Sequence, residues 1–334
     1  MEGGRRRAAR GTRLTPVFHF LGRAGRGPAQ SRLAATGLLP APMAAGSGRT
    51  LWHSYNYSKD MEMKALLTTL MLAVAPLLTV ASAQAQSPAL DRIQQAGVLK
   101  VGVKADYRPF GFLDPGGKIV GIEPDLAQDV AKRLGVKLEM IPVQSANRME
   151  FLQQGRIDLM IATMTVNEQR LRVVGAIEPY YYAGGTSLLT RKDSGIKSWA
   201  DTKGKELCGT QGAYYNRAVT EKYGAKVVAF PGTAEAQTAL LNGSCVGFLQ
   251  DSTLIAAMLI GGDPRWADYE IPVVVEDYKP WAIAVTKDEQ QTAYGKKMHD
   301  IVVDWHKSGY LLELEKKWGL PVSGYLVEMH EKFK

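Results

Sequence analysis

Apolar residues follow two different spacings along residues 90–334. Short apolar runs predict buried strands at Leu99–Val103, Leu138–Val143 and Ile157–Ala162. A helix is predicted at Ile122–Leu134, because apolar residues recur there at every fourth position and Gly135 follows. A hairpin turn at Asp114–Gly117 and a short helix at Met149–Gln154 complete the pattern. Strands that alternate with helices indicate an α/β fold with parallel strands.

A second series of elements begins near residue 187. Its predicted strands are Ser187–Thr190, Leu207–Thr210, Val227–Phe230, Val246–Leu249 and Trp281–Val285. Its predicted helices are Ala234–Asn242, Ser252–Leu259 and Tyr294–Trp318, the last interrupted at Ser308-Gly309. Two α/β series predict two lobes, and we expect residues 87–186 and 287–334 to form the first and residues 187–286 the second. Ligands of such sheets bind at the carboxyl ends of strands, in the cleft between lobes.

The first 86 residues have a different character. Residues 65–80 form an apolar run that follows Lys64 and precedes small residues, which is the pattern of a secretory signal peptide. We therefore predict a signal peptide at residues 61–86, with a mature chain that begins between Gln84 and Ser87. Residues 1–60 are interpreted as a leader that arises from a start site placed too early. An organelle transit peptide is the alternative, because the leader is rich in Arg and nearly free of acids.

The formal net charge of +8 lies entirely in this leader. Residues 1–60 hold ten Lys and Arg against two acids, whereas residues 87–334 hold 30 basic and 30 acidic residues. The folded part therefore gives no electrostatic argument for a nucleic-acid partner or an anionic membrane surface. After the signal peptide no second long apolar run follows, which argues against a channel or a tethered sensor.

Several enzyme and metal motifs are absent from the sequence. It contains no Walker A loop, no dinucleotide glycine fingerprint and no Gly-x-Ser-x-Gly elbow, and its His residues lack zinc-ligand spacing. We expect neither a cofactor nor a metal. Only Cys208 and Cys245 occur, and an even count in an exported protein favours a disulfide, with two buried free thiols as the alternative.

The segment Thr163–Arg170 carries the most informative chemistry. It follows the predicted strand Ile157–Ala162, so two hydroxyls and a guanidinium emerge together at a strand end. A guanidinium matches a carboxylate in bidentate fashion, and hydroxyls can donate to a carboxylate or accept from an ammonium. These groups suit a free α-amino acid, whereas a surface ion pair at a strand end is the alternative interpretation.

Residues 90–334 also resemble the extracellular polar-amino-acid-binding proteins of bacterial ABC importers. The markers, in chain order, are Leu99-Lys-Val-Gly-Val103, Tyr107-Arg-Pro-Phe110, Gly121-Ile-Glu-Pro-Asp-Leu126, Thr163-x-Thr165, Glu168-Gln-Arg170, Pro179-Tyr-Tyr181, Gln211-Gly212, Leu241-Asn-Gly243, Gln250-Asp251 and Lys317-Trp-Gly319. Each motif is weak by itself, but their order and spacing together are specific. The resemblance implies a two-lobed periplasmic binding protein fold of type II, with the ligand in the interlobe cleft.

In the first lobe, the resemblance implies that Arg170 binds the α-carboxylate of the ligand. Thr165 would assist through its hydroxyl and backbone N–H, and Thr163 would accept from the α-ammonium. Tyr107 would form one wall of the side-chain pocket, beside Phe110, which we interpret as core. Arg148 matches a residue that faces the ligand side chain in acidic-amino-acid members of the family.

For Arg148 a solvated position at a helix start is the alternative, and Lys104 is a further candidate for the pocket. In the second lobe, the resemblance implies that Asp251 is the counter-ion of the ammonium. Backbone N–H groups of Ala213 and Tyr214 would complete the carboxylate site, although the family often has a small hydroxyl residue where this chain has Ala213. The resemblance also places the two cysteines in a disulfide of the second lobe.

The implied function is the periplasmic substrate-binding component of an ABC transporter. It would capture a free polar amino acid, with an acidic or amide side chain, and deliver it as a monomer to an inner-membrane permease without catalysis. The alternative is an exported dehydratase that acts on an aromatic amino-acid precursor. Such an enzyme needs a general acid, for which Glu123 and Glu178 are candidates besides Asp251. A soluble sensor that docks on a signalling partner is a third interpretation.

Overall fold

The computed structural model of the chain describes residues 87–334. Its strands, numbered in chain order, are β1 Val98–Val103, β2 Asp106–Tyr107, β3 Gly111–Leu113, β4 Ile119–Val120, β5 Lys137–Pro142, β6 Leu159–Thr165, β7 Val174–Ala176, β8 Tyr182–Arg191, β9 Glu206–Thr210, β10 Lys226–Phe230, β11 Gly247–Asp251, β12 Tyr269–Glu270 and β13 Glu276–Thr286. The predicted leader and signal peptide lie outside the described residues and remain predictions.

The helices of the described residues are α1 Pro88–Ala96, α2 Ile122–Leu134, α3 Arg148–Gln153, α4 Glu168–Leu171, α5 Tyr215–Tyr223, α6 Thr233–Leu241, α7 Ser252–Ile260, α8 Ala293–Ser308, α9 Tyr310–Lys317 and α10 Gly324–Phe333. Short 3-10 turns occupy Trp199–Thr202, Pro264–Trp266 and Asp288–Gln291. Within residues 87–334, no helix has both the length and the apolar character needed to cross a membrane.

The main sheet has the strand order β10-β9-β11-β8-β13-β6-β1-β5. Strand β1 pairs in parallel with β5 and β6 at one end, and β9 pairs in parallel with β10 and β11 at the other. The parallel strands predicted from the sequence are therefore present in each half. The prediction is wrong for β8 and β13, which are antiparallel to each other and to their neighbours because they carry the chain between the halves in opposite directions.

This topology defines two lobes joined by two long strands. We call α1 to β7 together with α8–α10 lobe 1, and β9–β12 together with α5–α7 lobe 2. Strand β13 pairs with β8 along Glu276–Trp281 and with β6 and β7 along Trp281–Thr286. Strands β8 and β13 begin five residues before the predicted runs at Ser187 and Trp281. Their first residues, such as Gly184 and Lys279, follow no apolar alternation, so periodicity could not reveal them.

The structure reproduces the predicted apolar face of α2 and the predicted break in the C-terminal helical segment. Ile122, Leu126 and Val130 of α2 are at most 2% exposed, and each such side chain contributes about 1.5–3 kcal/mol when buried. The predicted break after Ser308 is present, because Gly309 has a left-handed φ of 77° between α8 and α9. Helix α10 was not predicted.

The disulfide prediction is confirmed. Cys208 of β9 is bonded to Cys245, just before β11, with a Cα–Cα distance of 5.6 Å. Both residues lie in lobe 2, as the family resemblance implied. The bond closes a chain segment with a sequence separation of 37, which is worth about 4 kcal/mol in the chain-entropy account.

Candidate functional site

Strand β6 and the helical turn after it bring the Thr163–Arg170 segment together. The strand continues through Thr165 rather than ending at Ala162. Thr163 and Thr165 therefore belong to the last three residues of the strand, and both are buried. Asn167 then caps α4 by accepting from the Arg170 N–H at 2.9 Å, and this single turn directs the guanidinium back toward the strand. Arg170 Nη1 donates to the Thr165 carbonyl at 2.8 Å.

Arg170 is a buried cation between the lobes. Its side chain reaches lobe 2, where Nη2 donates to the Gly212 carbonyl at 2.8 Å, and the residue is 6% exposed. Burial, and secondarily the charge of Arg148, lower the pKa of the guanidinium to about 9, so the group is charged at neutral pH. Its hydrogen bonds go to backbone carbonyls rather than to a carboxylate, which leaves its positive charge for an anionic ligand group.

The loop after β9 forms the lobe 2 side of this contact. Gly212 has a φ of +77°, and a Cβ at this position would lie 2.7 Å from the backbone of Ala146 in lobe 1. The glycine thus allows the two backbones to approach. The Ala213 N–H donates to Thr210 within the loop at 3.1 Å, and the Tyr214 hydroxyl donates to the Asp277 carbonyl at 3.1 Å. Their role in binding a carboxylate remains a prediction.

Asp251 lies opposite Arg170 on lobe 2, as the last residue of β11. It is 5% exposed, its Oδ2 accepts from the Tyr107 hydroxyl at 2.5 Å, and its Oδ1 has no hydrogen-bond partner among residues 87–334. Burial raises the pKa of this carboxyl to about 6, against the opposing effects of the Tyr107 hydrogen bond and of Arg148. Tyr107 therefore links the lobes through its hydroxyl, and its role as a wall of the side-chain pocket remains a prediction.

Arg148 is buried and not solvated. It begins α3, is 2% exposed, and its Nη1 donates to the Ala162 carbonyl and, at 3.4 Å, to the Thr163 hydroxyl. Its Nε has no hydrogen-bond partner among the described residues. The structure therefore brings Tyr107, Arg148, Thr163, Thr165, Arg170 and Asp251 into one buried interlobe site.

A model of the bacterial extracellular solute-binding proteins, family 3, matches residues 99–321. The chain belongs to this family. The resemblance and the two-lobed α/β fold predicted from the sequence are thereby confirmed.

Individual relatives agree with the assignment of this solute-binding protein. It is 32% identical to the ABC transporter glutamine-binding protein GlnH of Bacillus subtilis over 71% of the chain and 87% of that protein. It is 27% identical to the glutamate/aspartate import solute-binding protein of Salmonella typhimurium over 75% of the chain and 87% of that protein. A crystal structure of a mutant of ArgBP from T. maritima has a TM-score of 0.64 at 31% identity, over 69% of this chain and 98% of that chain.

One enzyme also matches the solute-binding protein over a shorter stretch. Cyclohexadienyl dehydratase of Pseudomonas aeruginosa is 37% identical over 117 residues, which is 35% of this chain and 44% of that protein. Because the transport proteins match over about twice this share, they are the better guide to the chain as a whole.

Glu123 lies in the interlobe site, although the sequence pattern did not predict this position. An acid in the first turn of a helix ordinarily faces solvent near the helix dipole, yet Glu123 of α2 is fully buried. Its Oε1 accepts from the Thr163 N–H at 2.6 Å and from the Tyr181 hydroxyl at 2.5 Å. Burial raises the pKa of this carboxyl to about 7, although both hydrogen bonds and the charge of Lys104 oppose the shift. The position beside Thr163, whose φ is +49°, places Glu123 in the interlobe site.

The other missed residue is Asp106, which links the lobes near Lys104. Lys104 is fully buried with its Nζ 3.0 Å from Asp106 Oδ1, and burial lowers the pKa of this lysine. Asp106 Oδ2 accepts from the N–H of Thr233, at the start of α6 in lobe 2, at 2.6 Å. Only the fold brings Asp106 to Thr233. Phe110 is core, as expected, with 0% exposure.

The interlobe site is distinct from an open cavity on the surface of the molecule. A surface cavity of about 540 Å³ lies elsewhere, where Tyr278 of β13 faces Tyr325 and Phe333 of α10. Among residues 87–334, no group of three or more His, Cys, Asp or Glu side chains is arranged to hold a metal ion. The interlobe site of the solute-binding protein is thus defined by buried charges contributed from both lobes.

Proposed function

We propose that this protein captures a free polar amino acid between its lobes and presents it to an inner-membrane ABC permease. The observation that carries the proposal is the pair Arg170 and Asp251, two buried opposite charges on opposite lobes. A zwitterion carries the complementary pair of charges, and its removal from water is favourable only when both are satisfied. The glutamine- and glutamate/aspartate-binding relatives support this class of ligand.

Each site residue then has a defined role. Arg170 binds the α-carboxylate, with assistance from Thr165 and from the backbone of Ala213 and Tyr214. Thr163 and Asp251 bind the α-ammonium, and Asp251 Oδ1, which has no hydrogen-bond partner among residues 87–334, can accept from it.

Tyr107 bounds the side-chain pocket, and Arg148 supplies its polar group. Since Arg148 already contacts Thr163, it lies next to the site of the α-ammonium.

The lobes explain how binding is signalled without catalysis. Residues 87–186 with 287–334, and residues 187–286, are proposed as the two rigid units, and the ligand stabilises their closed arrangement by contacting both. The closed arrangement is the one that a permease would recognise. We propose a monomeric protein of the periplasm, consistent with the extracellular family to which it belongs.

The experiment is to purify the protein without refolding, denature it, and identify released small molecules by mass spectrometry. Calorimetry with the twenty amino acids should then follow on refolded, ligand-free protein. Arg170→Ala should abolish binding, whereas Arg172→Ala should bind normally, since Arg172 lies two residues away with its side chain 79% exposed. Absence of binding to every amino acid, or equal binding by both variants, contradicts the proposal.

The dehydratase relative provides the competing function. Glu123 gives it some chemical support, because a buried carboxyl with a pKa of about 7 suits a general acid. The test is incubation with a cyclohexadienyl substrate and detection of water loss by mass spectrometry. Turnover that disappears in Glu123→Gln would favour the enzyme over the transport protein.

A further inference from the structure

The interlobe site contains more charge than the α-groups of an amino acid require. Besides Arg170 and Asp251, it holds the cations Lys104 and Arg148 and the acids Asp106 and Glu123. Lys104 and Asp106 form an ion pair with 3.0 Å between Nζ and Oδ1, and Asp106 Oδ2 accepts from the Thr233 N–H of lobe 2. This pair therefore contributes little net charge to a ligand. Arg148 and Glu123 remain to be explained.

Arg148 and Glu123 flank one residue without pairing with each other. Arg148 donates to the Thr163 hydroxyl at 3.4 Å, and Glu123 accepts from the Thr163 N–H at 2.6 Å. Each keeps one buried atom without a hydrogen-bond partner among residues 87–334, the Glu123 Oε2 acceptor and the Arg148 Nε donor. Buried polar groups in native proteins are normally paired, so two such atoms on side chains that contact the same threonine are consistent with a ligand that pairs with both.

We propose that the side-chain subsite takes a carboxamide, as in glutamine or asparagine, whose N–H donates to Glu123 and whose oxygen accepts from Arg148. This inference rests on the proposed amino-acid-binding function and narrows it. A carboxamide is neutral and offers two donors together with an acceptor.

The charges beside Thr163 disfavour the alternatives. A side-chain carboxylate would face the Glu123 carboxylate. A side-chain guanidinium or ammonium would face Arg148 without the Asp251 carboxylate, which is assigned to the α-ammonium. An apolar side chain would leave Glu123 Oε2 and Arg148 Nε without hydrogen bonds. Binding sites reject ligands that leave buried polar groups unpaired in this way.

The direct test is calorimetry of the full mature chain at pH 8 with glutamine, asparagine, glutamate, arginine and methionine. Burial raises the pKa of Glu123 to about 7, so at pH 8 the carboxylate is mainly ionised. Glutamine or asparagine should bind at least about tenfold more tightly than the three other ligands, because each of these leaves a like charge or an unpaired atom.

The Glu123→Gln variant tests whether Glu123 causes the preference for an amide over a carboxylate. The variant keeps an oxygen for the Thr163 and Tyr181 donors but removes the negative charge, so the affinity ratio of glutamate to glutamine should rise at least about tenfold. The matched control Glu178→Gln alters an exposed acid outside the site and should leave the ratio unchanged. Melting curves show whether both variants fold. If Glu123→Gln does not fold, the calorimetry of the wild-type protein with the five ligands still tests the proposal.

The outcomes separate this inference from the function on which it rests. No binding of any amino acid would overturn both. Tight binding of glutamate, arginine or methionine in preference to both amides at pH 8 would overturn the carboxamide alone and leave the binding function intact. An unchanged glutamate-to-glutamine ratio in folded Glu123→Gln would also overturn it.

Discussion

Glu123→Gln also makes a prediction about the stability of the ligand-free protein. The carboxyl has a pKa of about 7 in the folded chain against a usual value of 4.5, because burial penalises its charge. The folded state thus holds this proton about 2.5 pH units more tightly than the unfolded state, which corresponds to about 3 kcal/mol. The amide oxygen of glutamine can still accept from the Thr163 N–H and the Tyr181 hydroxyl, so the hydrogen bonds are largely kept.

The sign follows from the raised pKa of the acid. Below about pH 4.5 the Glu123 carboxyl is protonated in both the folded and the unfolded state, and its full contribution to the free energy of unfolding is present. As the pH rises from there through about 7, the unfolded state ionises first and the folded state loses that contribution. The variant cannot ionise, so it should match the wild type near pH 4.5 and exceed it by up to about 3 kcal/mol at pH 8.

Urea denaturation of ligand-free protein at several pH values measures this difference. Bound amino acid must be removed first, because ligand adds stability to the folded state. The exposed Glu178→Gln variant, measured in parallel, controls for the general effect of replacing one acid by an amide. A difference between Glu123→Gln and wild type that is the same at pH 5 and pH 8 would refute the reasoning, since it would mean that Glu123 does not titrate as a buried acid.

Three further predictions concern other parts of the molecule. Arg170→Ala should cost at least about 2–5 kcal/mol in amino-acid binding by calorimetry, and Arg170→Lys should also bind poorly because an ammonium lacks the planar fork. Reduction of Cys208–Cys245 should lower the free energy of unfolding by about 4 kcal/mol, and two alkylatable thiols in oxidised native protein would contradict the bond. Gly212→Ala should lower the affinity for every ligand, because the added Cβ would clash with the backbone of Ala146 when the lobes are closed. The control Gly243→Ala has a similar φ of +73° and no neighbour within 4 Å, so it should lower the stability but not the affinity. Equal affinities of the two variants by calorimetry would contradict this prediction.

Local sequence patterns predicted much of the fold because local physics determines it. The apolar face of α2, the break at Gly309 and the runs of β1, β5 and β6 follow from periodicity and glycine geometry alone. The Thr163–Arg170 segment was also predictable, since a strand end and one capped helical turn place its groups within eight residues of sequence. The disulfide needed only an exported context and an even cysteine count.

The remaining features depend on contacts between distant residues. Tyr107 and Asp251 are 144 residues apart in sequence, Asp106 and Thr233 are 127 apart, and Glu123 and Tyr181 are 58 apart. No local pattern identifies such partners, so a buried Glu123 could not be distinguished from a solvated acid in the first turn of α2. The same holds for the first residues of β8 and β13, which become strands only because each supplies the other with an edge.

We therefore expect ligand choice in this protein to depend on which buried charges the fold pairs and which it leaves unpaired. The fold places three cations and three acids in or beside the interlobe site, and a count alone would not separate an acidic from a basic or a neutral ligand. The pairing does, because Asp106 balances the charge of Lys104 in an ion pair, the α-groups of an amino acid suit Arg170 and Asp251, and Arg148 and Glu123 are left as a donor and an acceptor on either side of Thr163. The side chain that satisfies both without introducing a charge is an amide.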